Sequence, residues 1–216
     1  AECYETANEI NSEFVKTIRS LGGNNPERFL LIAGYNTDIT KTCDDRFKMP
    51  EDTADSKLLL SVHYYTPWDY CGTDGVNQWG SPSDYDEMNG LFSKLSKFSE
   101  QGYGVVIGEY AVMMKNGGIK DDTDIFYSNL MDNCDLYDFC PVLWDCSNFY
   151  KRFTNTLSDE KLAELFSSRA YSSEAGKSVD EIKSAAKERI EETRRSAEEN
   201  AMADVELAPS DDAAIA

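Results

Sequence analysis

The sequence has few of the residues that nucleic-acid and metal sites require. Its 216 residues include a single histidine, His63, and 21 basic residues against 40 acidic ones, so the net charge is −19. This charge repels phosphate backbones and anionic lipid surfaces, and it argues against nucleic acid and membranes as partners. No apolar run approaches the roughly 20 residues of a membrane span, and no signal-peptide pattern opens the sequence. The composition favours a soluble protein that acts on a neutral partner.

The six cysteines do not form a metal-binding pattern. None belongs to a Cys-x-x-Cys pair, and with one histidine we expect no metal site. Cys43 and Cys71 follow consecutive predicted strands, and Cys134 lies near Cys140, so the spacing allows two disulfides. Six free thiols fit the sequence equally well, which leaves the redox compartment open.

Two apolar segments end in residues that can carry out chemistry. The run 105–107 is β-branched without polar alternation, as in a strand buried on both faces, and it leads into Glu109. The run 58–62 leads into His63 and Tyr65. The carboxyl ends of parallel strands open onto the ligand-binding edge of the sheet. A strand-capping glutamate and a structural histidine are the plainer interpretations, but two such endings together favour a cleft.

Helical and strand patterns alternate along the first 171 residues and predict an α/β fold with a parallel sheet. No glycine-rich phosphate loop follows a strand, which disfavours a nucleotide-binding domain. Four strands with their crossovers make either half of an eightfold barrel or a small open sheet. The expected elements are a helix at 4–20, strands at 28–35 and 57–65, a helix ending near 102, a strand at 104–110, a helix at 121–133, a strand at 141–144 and a helix capped by Ser158.

The character of the sequence changes at residue 172, which we take as a domain boundary. Ser178-Val179-Asp180-Glu181 has the pattern of a capping box, and a charged helix is predicted to run to about residue 200. Its apolar stripe is thin, so the helix either lies on the surface or projects as a linker. The acidic, alanine-rich stretch 201–216 is predicted to be disordered.

Four motifs resemble those of glycoside hydrolase family 5, and most of all its subfamily 4 endo-β-1,4-glucanases. The resemblance runs from about Cys3 to Phe166 and implies strands 5 to 8, the C-terminal half, of a TIM (β/α)8 barrel. The motifs occur in the family's order: Leu31-Ile32-Ala33-Gly34-Tyr35-Asn36-Thr37-Asp38, His63-Tyr64-Tyr65-Thr66-Pro67-Trp68, Trp79-Gly80-Ser81-Pro82 and Ile107-Gly108-Glu109-Tyr110.

The resemblance assigns a role to several residues. Glu109 matches the catalytic nucleophile, and His63 and Tyr65 match the pair beside it, with Tyr65 hydrogen-bonding the nucleophile. The remaining substrate-binding candidates are Trp144, which matches the floor of the subsite where cleavage occurs, Trp68 and Trp79 in the long loop 68–84, and Asn36 after a strand end. The family's reaction needs no metal and no cofactor.

One family motif is missing. A retaining glycosidase needs a nucleophile and an acid/base carboxyl group about 5–5.5 Å apart. The family's acid/base lies in an Asn-Glu-Pro motif, which this sequence lacks; Asn8-Glu9 is followed by Ile10 inside a helical pattern. We therefore expect the first four βα units to be absent, either because the chain is a piece of a longer enzyme or because it is a natural half-barrel.

The expected function is endo-hydrolysis of a β-1,4-glucan, whether cellulose, mixed-linkage glucan or xyloglucan, by double displacement. The alternative is a catalytically incomplete half-barrel that binds glycans or acts as a scaffold. The expected partners are the β-glucan and an N-terminal half-barrel, and the family implies an extracellular location. An isolated half-barrel exposes strand edges, so poor stability or self-association is also expected.

Overall fold

The chain forms a parallel β-sheet whose strands alternate with helices. The structure is a computed structural model in which residues 3–72, 75–76, 78–115, 117–169 and 176–207 are described. The elements are α1 (Tyr4–Ser20), a 3-10 turn (Asn25–Glu27), β1 (Leu30–Asp38), α2 (Ile39–Thr42), β2 (Leu58–Tyr64), α3 (Trp68–Cys71), α4 (Pro82–Glu100), β3 (Gly104–Tyr110), α5 (Thr123–Tyr137), β4 (Phe139–Leu143), β5 (Tyr150–Lys151), β6 (Thr156–Leu157), α6 (Glu160–Ser168) and α7 (Val179–Leu207).

The four long strands pair in chain order, β1-β2-β3-β4, and every pairing is parallel. Leu60 lies opposite Val105, and His63 lies opposite Glu109. The register shifts near the carboxyl end of each pairing, for example between Val62 and His63. Such irregularities re-aim side chains, and here they coincide with the polar residues that follow the apolar part of each strand.

The main core lies between the sheet and helices α4 and α5. Tyr64 of β2 packs edge-on against Phe92 of α4 at 5.2 Å, and Phe126 of α5 lies 6.0 Å from the same ring. Burying one such side chain contributes about 1.5–3 kcal/mol to folding. A smaller cluster of Val15, Leu30, Ile32 and Leu58 attaches α1 to β1 and β2.

The expected helix at 4–20 and strand at 104–110 are confirmed with the same bounds. The first strand begins at Leu30 rather than 28 and continues to Asp38. The predicted cap of α6 is wrong by one residue: the Asp159 carboxylate accepts the Leu162 amide at 3.1 Å, while the Ser158 hydroxyl donates to the Asn148 carbonyl. Neither candidate disulfide forms, since Cys43, Cys71, Cys134 and Cys140 are all free thiols.

Helix α7 packs on the outer surface of α4 and α5, so of the two interpretations of this charged helix it lies on the surface and does not project as a linker. Ala186, Ile190 and Ala197 are buried on one side of it. The helix also runs to Leu207, seven residues into the stretch expected to be disordered; residues 208–216 and the predicted boundary at 171/172 lie outside the described residues. No helix in the described ranges, α7 included, is long and apolar enough to cross a membrane.

Ion pairs hold α7 in place where its apolar stripe is thin. The Arg189 Nε donates to Asp132 of α5 at 2.7 Å, and the Arg194 Nε donates to Asp86 of α4 at 2.7 Å. Asp132 is only 2% exposed and also accepts from Arg169, which follows α6, at 2.6 Å. A buried carboxylate is tolerated only when it is paired, so Asp132 needs Arg169 and Arg189 to remain buried as a charged group.

The outer strands of the sheet leave apolar side chains exposed. Phe29 and Leu31 are exposed on and beside β1, and Val142 is exposed on β4. Strands β1 and β4 form the two edges of the sheet, and closure of an eight-stranded barrel would cover both edges. Self-association of the isolated chain through these edges stays a prediction.

Replacing Arg189 with methionine is expected to lower the free energy of unfolding by about 2 kcal/mol. The loss is less than that of breaking an isolated buried pair because Asp132 keeps Arg169. Urea-induced unfolding measures this change. Lys187→Met on the same helix is the matched control, since Lys187 pairs only loosely with Glu191 at 3.9 Å and both side chains are exposed. Equal effects of the two substitutions would contradict the proposed docking of α7.

Candidate functional site

The site is centred on Glu109, at the carboxyl end of β3. The Tyr65 hydroxyl donates a hydrogen bond to Glu109 Oε2 at 3.0 Å, and the His63 Nδ1 lies 3.3 Å from the same oxygen. Within the described part of the chain, Glu109 Oε1 accepts no hydrogen bond from a side chain or the backbone. The carboxylate is thus fixed through one oxygen, and the other is free to meet a ligand.

The pairing of β2 and β3 brings these three side chains together. His63 lies directly opposite Glu109, and the register shift before His63 turns it toward the carboxylate. A Cβ atom on Gly108 would lie 2.6 Å from the Ser61 Oγ and 3.7 Å from the His63 ring. Any larger residue at position 108 would therefore force the Ser61 side chain or the strands to shift.

The electrostatics keep Tyr65 in its neutral, hydrogen-bond-donating form. Burial of the phenol, its hydrogen bond to Glu109 and the negative charge of that carboxylate all raise the pKa of Tyr65 well above its ordinary value. The Tyr65 ring also meets the Trp68 ring edge-on at 6.2 Å. Tyr65 therefore connects the carboxylate to the aromatic surface of the following loop.

A cleft of about 410 Å³ opens beside this group, between the carboxyl ends of β1 and β2. Asn36, His63, Tyr65 and Trp68 are among the residues that line it. Asn36 and Thr37 both have a φ of 53°, in the left-handed region that a β-branched threonine rarely adopts. Each such residue costs about 1–3 kcal/mol, and strain of this kind concentrates at ligand-binding sites.

The three tryptophans have different environments. Trp68 is 64% exposed on the cleft wall. Trp144 is partly exposed just after β4, where its amide donates to the Tyr110 carbonyl at 3.0 Å, next to Glu109. The structure thus places Asn36, Trp68 and Trp144 along the same carboxyl edge of the sheet as His63, Tyr65 and Glu109.

Trp79 does not reach the cleft, so the prediction that it stacks on sugar rings is wrong. Its side chain is 4% exposed and lies against Tyr85 at 4.7 Å and Phe126 at 5.3 Å. The polar sequence around it had suggested exposure. In the structure, the polarity belongs to the capping box of Ser81 and Asp84 at the start of α4.

Lys120 is 2% exposed, and no pattern in the sequence predicts its role. Its ammonium group donates to the carbonyls of Tyr70 at 2.6 Å, Gly72 and Val76. Lys120 therefore connects the segment after β3 to the loop that carries Trp68. Its partners are backbone carbonyls, which have no sequence signature.

Over the described ranges, no group of three or more His, Cys, Asp or Glu side chains is arranged to hold a metal ion.

A family model described as cellulase (glycosyl hydrolase family 5) matches residues 1–149. The chain belongs to glycosyl hydrolase family 5. It is 32% identical over 149 residues to endoglucanase B of Neocallimastix patriciarum, covering 68% of this chain and 31% of that protein. It is 33% identical over 147 residues to endoglucanase B of Ruminococcus albus, covering 67% and 34%.

Solved family 5 structures share the fold. A GH5-4 broad specificity endoglucanase from an uncultured bovine rumen ciliate superposes with a TM-score of 0.72 at 34% identity, covering 76% of this chain and 54% of that one. A glycoside hydrolase 5 lichenase from Caldicellulosiruptor sp. F32, solved in complex with cellotetraose, gives 0.67 at 26% identity, covering 75% and 48%. The expectation of a partial (β/α)8 barrel of family 5 is confirmed, and a small unrelated open sheet is excluded.

The chain spans about a third to a half of the length of the curated family 5 relatives it matches. The family match ends at residue 149, before β5, β6, α6 and α7. The alignments with endoglucanase A of Paenibacillus barcinonensis and with the rumen ciliate endoglucanase cover 74% and 76% of this chain, which is more than the family match alone.

Gly108→Ala is expected to destabilise the chain by about 1–3 kcal/mol, because the added methyl group overlaps Ser61. The second substitution Ser61→Ala removes the overlapping oxygen and should recover part of the loss in urea unfolding. Gly90→Ala in α4 is the control: nothing lies within 4 Å of its Cβ position, so it should stabilise the helix by about 0.5–1 kcal/mol. A neutral Gly108→Ala would show that the strands are not held at this spacing.

Tyr65 is expected to stay protonated above the pH at which an ordinary tyrosine ionises, about pH 10. A raised pKa preserves the neutral form as pH rises, so Tyr65 should add no phenolate absorbance up to about pH 11. The difference between the ultraviolet titrations of the unchanged chain and Tyr65→Phe isolates this one residue. A step near pH 10 in that difference would rule out the hydrogen-bonded, partly buried state.

Proposed function

We propose that this chain provides the nucleophile side of a retaining endo-β-1,4-glucanase site. The observation that carries the proposal is the Glu109 carboxylate at the carboxyl edge of the sheet, with Tyr65 and His63 on one of its oxygens. Membership of family 5 and the endoglucanases among its relatives support the same reaction class. The proposed substrates are β-1,4-linked glucans: cellulose, mixed-linkage glucan or xyloglucan.

In the proposed reaction, Glu109 Oε1 attacks the anomeric carbon of the sugar bound beside it. The bond to the leaving sugar oxygen breaks while an acid protonates that oxygen, and a covalent glycosyl-enzyme forms. Water then attacks the anomeric carbon, gives its proton to the same acid/base group and releases Glu109. Tyr65 supports the carboxylate by donating a hydrogen bond and sets its orientation from the Oε2 side.

The acid/base carboxyl group belongs, in this proposal, to the part of the barrel that the relatives have and this chain does not span. The sequence contains no Asn-Glu-Pro. Asn8-Glu9 is part of α1, where the Asn8 amide donates to the Arg46 carbonyl. The supplied group would have to lie about 5–5.5 Å from Glu109.

The aromatic residues at the cleft fit a glucan chain. The exposed indole of Trp68 on the cleft, and that of Trp144 at the carboxyl end of β4, offer flat apolar faces to the CH-rich faces of sugar rings, and Asn36 lines the cleft together with Tyr65. One structural relative is described in complex with cellotetraose, and another is described as a family 5 xyloglucanase in complex with a ligand. Hydrolysis of such polymers is proposed to take place outside the cell, as inferred from the family.

A second candidate function is glycan binding without turnover. The missing acid/base motif favours it, because the aromatic surface is present while the proton donor is not. In that case the chain acts as a binding or scaffold half that needs a complementary half for hydrolysis. A substrate whose leaving group departs without being protonated distinguishes the two candidate functions.

The test is reaction with 2,4-dinitrophenyl 2-deoxy-2-fluoro-β-cellobioside, whose leaving group departs without protonation. The chain should release about one equivalent of dinitrophenolate and gain the mass of one fluorocellobiosyl group on the peptide that contains Glu109. Glu109→Gln should abolish both signals. Glu27→Gln, an exposed carboxylate before β1, is the matched control and should label normally.

Two other results would count against the nucleophile assignment. Labelling that persists in Glu109→Gln would place the nucleophile elsewhere. A folded chain that binds mixed-linkage glucan but never labels would support the second candidate function instead.

A further inference from the structure

The connection between β4 and α6, residues 144–159, is long and contains its own hairpin, β5–β6. Most connections in compact domains are shorter, and long ones usually carry function. This one leaves the carboxyl end of β4, the edge of the sheet where Glu109 lies. Its first residue, Trp144, is hydrogen-bonded to the carbonyl of Tyr110. The hairpin therefore belongs to the face of the molecule that carries the proposed site.

The base of the hairpin is fixed to the core. Asp145 Oδ1 accepts the amides of Asn148 at 3.0 Å and Phe149 at 2.9 Å. Burial pushes the pKa of Asp145 upward, but the amide hydrogen bonds outweigh it and hold that pKa below its usual value. Phe149 is buried against Tyr127, and its carbonyl accepts the Ser158 amide at 2.7 Å. The two ends of the hairpin are thus held together.

The tip of the hairpin is a defined turn that presents aromatic rings to solvent. The Asn155 amide donates to the Lys151 carbonyl at 2.9 Å, and the Tyr150 hydroxyl donates to the Asn155 side chain. Phe153 is 106% exposed, and Tyr150 is partly exposed. Leaving a phenyl ring in water forgoes about 1.5–3 kcal/mol of burial. An ordered turn that holds such a ring outward suits contact with a ligand.

The charge of the hairpin differs from that of the rest of the chain. Residues 146–158 include Lys151 and Arg152 and no acidic residue, although the net charge of the chain is −19. Neither Lys151 nor Arg152 forms an ion pair with any described residue. Aromatic faces flanked by unpaired N–H donors match a sugar ring, which has a CH-rich face and a rim of hydroxyl groups.

We propose that the β5–β6 hairpin is an outlying sugar-binding platform, in which Phe153 and Tyr150 stack on rings of a β-glucan chain that continues beyond the Glu109 site. The proposal rests on the proposed function, since both assume a glucan substrate. A platform at this position would strengthen the binding of long glucan chains and leave the binding of short sugars at Glu109 unchanged.

The test compares Phe153→Ala with Phe29→Ala by native affinity electrophoresis in gels containing mixed-linkage β-glucan. Phe29 is a matched control because it is also an exposed phenylalanine, but it precedes β1 at the amino end of the sheet. Phe153→Ala should weaken glucan affinity about 3- to 10-fold, whereas Phe29→Ala should leave it unchanged. Labelling by the fluorocellobioside, which occupies only the Glu109 site, should be unchanged in both variants.

The outcomes separate this proposal from the proposed function. Normal labelling with unchanged glucan affinity in Phe153→Ala would overturn the platform and leave the nucleophile assignment intact. If Phe153→Ala weakens glucan affinity but the unchanged chain is not labelled by the fluorocellobioside, the platform proposal stands and the assignment of Glu109 as nucleophile is rejected. If sedimentation shows that Phe153→Ala converts a dimer into a monomer without changing glucan affinity, the ring contacts a second copy and the platform is overturned. Urea unfolding of Phe153→Ala should match that of the unchanged chain, because its ring is fully exposed among the described residues.

Discussion

The pairing of β2 with β3 is the interaction on which the site depends. It sets His63 opposite Glu109 and brings Ser61 so close to residue 108 that a larger residue there would force the Ser61 side chain or the strands to shift. Side chains alternate across a strand, so a slip of one residue would turn Glu109 to the other face of the sheet. The hydrogen bond from Tyr65 and the contact with His63 would then be lost together. The site is therefore only as well defined as this strand register.

Much of this arrangement can be predicted from the sequence, because its signals are local. The β-branched run 105–107 predicts β3 and places Glu109 at its end, and helical spacing predicts α1. The strand endings also predict that His63 and Tyr65 lie near Glu109. Burial of Trp79 could not be predicted, because it depends on rings brought from α4 and α5. The same holds for Lys120, whose carbonyl acceptors lie 44 to 50 positions earlier in the chain.

The docking of α7 is a second long-range effect with a physical cause. Its thin apolar stripe alone predicts a weakly held helix, and the partners of Arg189 and Arg194 lie 57 and 108 positions away in the sequence. Asp132 is buried and needs cationic partners, which come from both Arg169 and Arg189. The helix thus satisfies a charge inside the family 5 fold, although it lies beyond the residues that the family model matches. Helix α7 therefore contributes to the stability of the folded domain.

The distribution of contacts also explains how half of a barrel can keep its part of the proposed catalytic site. The partners that orient Glu109 come from β2 and β3, both of which are inner strands of this sheet. The edges left open belong to β1 and β4, so covering them changes neither the β2–β3 register nor the Tyr65 hydrogen bond. Completion of the proposed site then requires only that a second carboxyl group be placed about 5–5.5 Å from Glu109. In the proposed reaction, attack and protonation are separable in space, because the protonating group lies outside the β2–β3 pairing that orients Glu109.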